Sequence, residues 1–155
     1  MKLIVLAAGY ATRLYPLTLN QPKPLLDVAG KPMLEHVLDN LAPVEEIDHV
    51  YVVTNGKFAG HFERWAEGRH TKVGGPDITV VNDHSTDDSN KLGAIGDLNL
   101  VLTQEGLDDD IDSVLGRIGL RSGFAFQLNR TRSMATSSCV PPGSPIVRTN
   151  VCVSV

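Results

Sequence analysis

Residues 3–18 read LIVLAAGYATRLYPLT: Leu3 to Leu6 without a polar residue, then Ala7-Ala8-Gly9-Tyr10-Ala11, then Thr12-Arg13, then Pro16-Leu17-Thr18. Continuous rather than alternating apolar residues predict a strand, Lys2 to Leu6, that is buried on both faces, as in a parallel sheet. The small residues behind it predict a turn with bare backbone, where a ligand can approach main-chain amides closely. Successive amides in such a turn can cradle phosphate oxygens. Arg13 adds a permanent charge with a planar fork suited to phosphate. Lys23, held between Pro22 and Pro24, supplies a compact second charge. Gly9, Arg13 and Lys23 thus converge on a polyphosphate. The chain has neither a Walker A loop nor a G-x-G-x-x-G fingerprint.

Working outward, Pro22-Lys23-Pro24 is expected to be extended, because proline disfavours helix in the residue before it. Leu25 to Val28 predicts a short strand ending at Ala29-Gly30. Pro32 suits a first helical turn, and Met33, Leu34, Val37, Leu38 and Leu41 form one apolar stripe that Pro43 ends. His49 to Val53 is the next strand. Phe58, Phe62, Trp65 and Ala66 make the stripe of a second helix ending at Gly68, with Trp65 read as core. Ile78 to Val81 is a third strand, with Asp83 at its carboxyl end. A third helix follows, capped by Ser89 or Asn90, its buried face Ala94, Ile95, Leu98, Val101 and Leu102. Alternating strands and helices imply an α/β fold with a parallel sheet, whose ligands gather beyond the carboxyl ends of the strands.

The chain's 155 residues are the length of one domain. Its 42% hydrophobic and 21% charged residues are ordinary for a globular protein. A net charge of -4 gives no reason to expect nucleic acid or an anionic membrane as partner, and no apolar run approaches the roughly 18 residues of a membrane span. Cys139 and Cys152 fit no metal or redox spacing, nor do the five histidines. The default expectation is a cytoplasmic protein.

The opening motifs resemble those of the sugar nucleotidylyltransferases. The matching segments are Gly9-Tyr10-Ala11-Thr12-Arg13-Leu14, Pro16-Leu17-Thr18, Pro22 to Leu26, and Gly30-Lys31-Pro32-Met33. Where many members have a second glycine, this chain has Ala11. The resemblance implies a Rossmann-like parallel sheet with flanking helices, and a reaction in which a sugar 1-phosphate oxygen attacks the α-phosphorus of a nucleoside triphosphate and pyrophosphate leaves. It implies Arg13 and Lys23 as the catalytic cations and Ala8, Gly9, Tyr10, Ala11 and Thr12 as the triphosphate cradle. Leu92-Gly93-Ala94-Ile95 resembles the helix start that packs against the base, which makes Gly93 a contact. Asp83 either hydrogen-bonds the base or caps its turn. Base and oligomeric state stay open. A non-sugar acceptor such as phosphocholine is the alternative within the family, and a non-catalytic nucleotide-binding remnant the alternative outside catalysis.

The resemblance covers residues 1–112, where all 18 acidic residues lie. Residues 113–155 hold five arginines and no Asp, Glu, Lys or His, and are expected to be an atypical, poorly ordered tail. The family's magnesium carboxylates come from a fourth strand and a second half, so magnesium is expected for the family and no metal ligand is assigned here. The pattern demands that fourth strand near Ile111 to Val114. A truncated copy, with a change of reading frame near residue 111, would account for the break.

Overall fold

The computed structural model describes residues 1–70, 75–107, 113–117 and 150–154. Five parallel strands form one sheet in the order β5-β4-β1-β7-β6. They are β1 (Lys2–Leu6), β4 (His49–Thr54), β5 (Asp77–Asn82), β6 (Ser113–Arg117) and β7 (Asn150–Ser154). A small hairpin, β2 (Asp27–Val28) with β3 (Lys31–Pro32), stands apart. Its turn residues Ala29 and Gly30 both have positive φ. The helices are α1 (Met33–Leu41), α2 (Ala59–His70) and α3 (Gly93–Gln104).

Side-chain parity along β1 and β4 builds two cores. Leu3, Val5, Val50 and Val52 pack with Leu34, Val37, Leu38, Phe58 and Phe62 on the α1 and α2 face. Ile4, Leu6, Tyr51 and Val53 pack with Val81, Val101 and Leu102 on the α3 face. Because both faces are covered, β1 and β4 can be apolar without interruption. Trp65 packs on the first core, as expected, and its indole N–H donates to Glu35 Oε1 at 2.9 Å.

Three elements depart from the sequence reading. Lys23-Pro24-Leu25 forms a single 3₁₀ turn rather than an extended segment, with the Leu25 N–H donating to the Pro22 carbonyl at 3.0 Å. A proline at the second position of one short turn costs no hydrogen bond, because its nitrogen would have no partner there. On α3, Ala94 and Ile95 face outward, Ile95 being 85% exposed, and Asp97 takes the buried position with Val101 and Leu102. Asn90 does not cap α3; its Oδ1 accepts from the Thr86 and Asp87 amides at 3.0 and 3.1 Å.

The third departure is beside β1. The expected strand near Ile111 is described as Ser113–Arg117, at the far edge of the sheet. The slot next to β1 is filled by Asn150–Ser154, with Leu3 opposite Val151 and Leu6 opposite Ser154. A bare β1 would present a row of unpaired amides and carbonyls, and β7 covers it. Residues 118–149, part of the expected tail, lie outside the described residues, as do Asp108 to Asp112.

Candidate nucleotide site

The site lies at the carboxyl ends of β1, β4 and β5, and main-chain hydrogen bonds hold those ends together. Ala7 N–H donates to the Val53 carbonyl at 2.8 Å, Asp83 N–H to Thr54 at 2.8 Å, and Gly56 N–H to Ser85 at 2.8 Å. Gly56 has little latitude: a Cβ there would meet the Ser85 carbonyl oxygen at 3.0 Å. Asn55 is fully buried and links two elements. Its amide donates to the Ala8 carbonyl at 3.0 Å, and its Oδ1 accepts from the Phe58 N–H at 3.0 Å at the start of α2.

The loop after β1 leaves Gly9 exposed between buried Ala8 and Tyr10. Ala11 is left-handed, with φ 48° and ψ 41°, a conformation that costs a residue bearing a Cβ. Two hydrogen bonds hold it: its carbonyl accepts from Leu14 N–H and from the buried Thr18 hydroxyl, both at 2.9 Å. Pro16-Leu17-Thr18 therefore serves the loop by placing Thr18 beneath it.

Arg13 is exposed and Lys23 half-buried at the two ends of this segment. Four cations are paired: Lys2 with Asp48, Lys31 with Asp39, Arg69 with Glu35 and Lys91 with Asp88; Lys57, over the Phe58 ring at 4.8 Å, and Arg64 on α2 are in none of these pairs. Among the described residues, Arg13 and Lys23 have no carboxylate partner. They are free to meet an anion.

Beneath the loop, Tyr10, Ser85 and Asp83 form a buried network. The Tyr10 hydroxyl lies 3.2 Å from Ser85 Oγ, and burial pushes its phenol up. Asp83 Oδ1 accepts from the Ser85 N–H at 2.7 Å and Oδ2 from its hydroxyl at 3.0 Å. The turn-capping role of Asp83 is thus the one its hydrogen bonds display. Gly93, at the start of α3, has φ +74° and lines a cavity of about 160 Å³ together with Leu6, Ala8, Gly9, Lys91, Ala94 and Asp97. The structure therefore brings Ala8, Gly9 and Gly93 to one cavity.

Asp97 was not singled out by the sequence. It is 5% exposed, its Oδ1 has no hydrogen-bond partner among the described residues, and burial with nearby Asp83 pushes its carboxyl up to about 6. The available signal was helical spacing: Gly93, Asp97 and Val101 recur every four residues. Magnesium, implied by the resemblance, does not fit the donors present among the described residues. Asp83 accepts at both oxygens from Ser85, Asp97 has only Asp83 as a carboxylate neighbour, and among the described residues no three His, Cys, Asp or Glu converge.

Comparisons with known proteins bear on the family and the fold. The nucleotidyl transferase profile matches residues 2–111. A Sulfolobus acidocaldarius protein named as a mannose-1-phosphate guanyltransferase is 35% identical over 118 residues, 74% of this chain and 29% of that protein. Mannose-1-phosphate guanylyltransferase 1 of Arabidopsis thaliana is 47% identical over 55 residues, 36% of this chain and 15% of that protein. Among solved structures, a Bacillus anthracis protein named as a glucose-1-phosphate thymidylyltransferase superposes with a TM-score of 0.54 at 20% identity, over 83% of this chain and 64% of that one. This last likeness supports the fold: a Rossmann-like parallel sheet with flanking helices. The chain thus spans under a third of the length of both curated relatives. With its profile match running from β1 to Ile111, the chain belongs to the nucleotidyl transferase family.

Proposed function

We propose that residues 1–107 form the nucleotide-binding part of an enzyme that transfers a nucleotidyl group from a nucleoside triphosphate to a sugar 1-phosphate. The observation carrying this reading is the pair of uncommitted cations, Arg13 and Lys23, flanking a loop whose backbone is bare at Gly9. In this reading the amides of Ala8 to Thr12 cradle the triphosphate, and Arg13 and Lys23 neutralise charge that builds on departing pyrophosphate. Positioning and electrostatics supply most of the acceleration in such a transfer. Gly93 packs against the base. Tyr10 and Asp83 act indirectly, by fixing the loop on Ser85. The sugar acceptor is suggested by the names of the relatives, and phosphocholine remains the alternative acceptor.

No step is assigned to magnesium, because the described donors do not fit it. Binding is the property tested first. Each charge-assisted bond to phosphate is worth roughly 1.5–3 kcal/mol. Calorimetric titration with triphosphates should show Arg13→Ala and Lys23→Ala each weakening binding by about tenfold or more. Equal affinity in wild type and both variants would remove the assignment.

A further inference from the structure

We propose that Asn55 is a positioning residue for phosphate: its side-chain amide turns the Ala8–Gly9 peptide so that the Gly9 N–H faces outward, toward a phosphate oxygen. The proposal rests on the triphosphate-binding reading above and adds to it the residue that aims the loop. Asn55 follows β4 and stands two residues beyond the last pair of the β1–β4 ladder, Leu6 opposite Val53. Main-chain pairing there closes with the Ala7 N–H on the Val53 carbonyl. Beyond it the β1 loop leaves the sheet, and the fully buried Asn55 side chain reaches the Ala8 carbonyl at 3.0 Å.

The Ala8–Gly9 peptide is trans, and a trans peptide points its N–H away from its own C=O. Drawing the Ala8 carbonyl inward onto Asn55 therefore sends the Gly9 N–H the other way. Gly9 is exposed, and a Cβ added there would meet no atom within 4 Å, so the loop is uncrowded at this point. From Gly9 to Arg13 no N–H donates to a main-chain acceptor among the described residues, whereas the Leu14 N–H returns to the Ala11 carbonyl. Consecutive amides left without such partners form a concavity for anions.

Both ends of the Asn55 amide are engaged, and the two bonds serve different elements. Oδ1 accepts from the Phe58 N–H at 3.0 Å, a local bond of the kind that starts a helix. Starting α2 requires that acceptor alone. The bond to Ala8 spans 47 residues of sequence and acts on the loop instead. Both bonds need a donor and an acceptor on one short side chain. A carboxylate has no hydrogen to give the Ala8 carbonyl, and alanine offers neither group. Without the donor, the carbonyl of buried Ala8 loses its partner and the peptide is released to rotate.

The test is calorimetric and nuclear magnetic resonance titration of the labelled 155-residue chain with inorganic tripolyphosphate, which presents phosphates without a base. Wild type, Asn55→Ala, Asn55→Asp and Arg13→Ala are compared. Affinities of the Asn55 variants are read where the Phe62 and Val101 amides, one in each core, hold their wild-type positions. In wild type the Gly9 amide proton should move downfield at saturation, as an N–H does on meeting an anionic oxygen. Both Asn55 variants should bind about tenfold or more weakly, with the bound Gly9 signal displaced from its wild-type place. The Asp variant keeps the acceptor for Phe58, which separates the loop from the start of α2. If its negative charge alone weakened binding, the bound Gly9 signal would stay at the wild-type position, and that result would overturn the proposal. So would affinity within about twofold of wild type in Asn55→Ala. A wild-type Gly9 amide unmoved at saturation would overturn it too, whether or not either variant folds. Binding that depends on Arg13 but not on Asn55 would sink the proposal and leave the phosphate reading intact. If wild type binds neither tripolyphosphate nor any nucleoside triphosphate, both fall.

Discussion

Ala11 shows how a single residue records what the loop demands. Its φ of 48° falls where glycine is at ease and a Cβ is not. The strain is held in place by the Thr18 hydroxyl and the Leu14 amide. Ala11→Gly should therefore stabilise the protein by roughly 0.5–1 kcal/mol, the relief of strain outweighing the added chain entropy, as read by urea denaturation. A loss of stability would mean that the loop relaxes away from this conformation. Asp97 carries a different cost, a buried carboxylate near Asp83. Its folded-state pKa of about 6 lies above the ordinary 3.8, so the native state binds more protons between those values. Its unfavourable contribution is full above pH 6 and fades as pH falls toward 4. Asp97→Asn should then be more stable than wild type at pH 8 by roughly 1–3 kcal/mol, with the gap closing by pH 4. Denaturation of both proteins across that range checks the sign, and a gap that widens on acidification would contradict it.

At the scale of elements, the strands and helices up to Gln104 were legible because each buries a simple pattern. β1 and β4 are continuous apolar runs, and α1 repeats its leucines and valine every three or four residues. The face of α3 was misread because Ile95 outranks Asp97 in hydropathy, yet Asp97 is the residue turned toward β1 and the cavity. Sequence pattern ranks side chains by transfer cost, and a buried carboxylate violates that ranking. β7 was illegible for another reason. Five residues are too few for a period, and its parallel partner β1 lies about 150 residues away. Asn55 was equally silent, since an asparagine after a strand reads as an ordinary turn. In the fold it joins the β1 loop to the start of α2. Asn55→Ala should cost roughly 2–3 kcal/mol, a lost cap plus an unsatisfied buried carbonyl. Thermal denaturation measures this, and a cost below about 0.5 kcal/mol would show the link to be idle.

At the scale of the whole molecule, the sheet sets its loops along one edge, where α/β proteins hold their ligands. The family signature was readable there because it is long and ordered. The buried carboxylate of Asp97 was not, because only the tertiary fold brings Gly9, Gly93 and Asp97 to one cavity. The chain spans 29% of its Sulfolobus relative, and among the described residues no three His, Cys, Asp or Glu converge. On the proposal that residues 1–107 are the nucleotide-binding part of the enzyme, purified protein given magnesium, mixed triphosphates and a panel of sugar 1-phosphates should release no pyrophosphate. Turnover near 1 per second, within the ordinary enzyme range, would place a metal-binding role on Asp97 or on Asp108 to Asp112. The most direct test of the central claim, that a triphosphate sits between the β1 loop and the start of α3, is nuclear magnetic resonance of the isotopically labelled chain during titration with guanosine triphosphate. The account predicts the largest amide shifts at Gly9, Ala11, Thr12 and Gly93, with little change along α1. Shifts centred on α1 or α2, or none at saturating ligand, would contradict it.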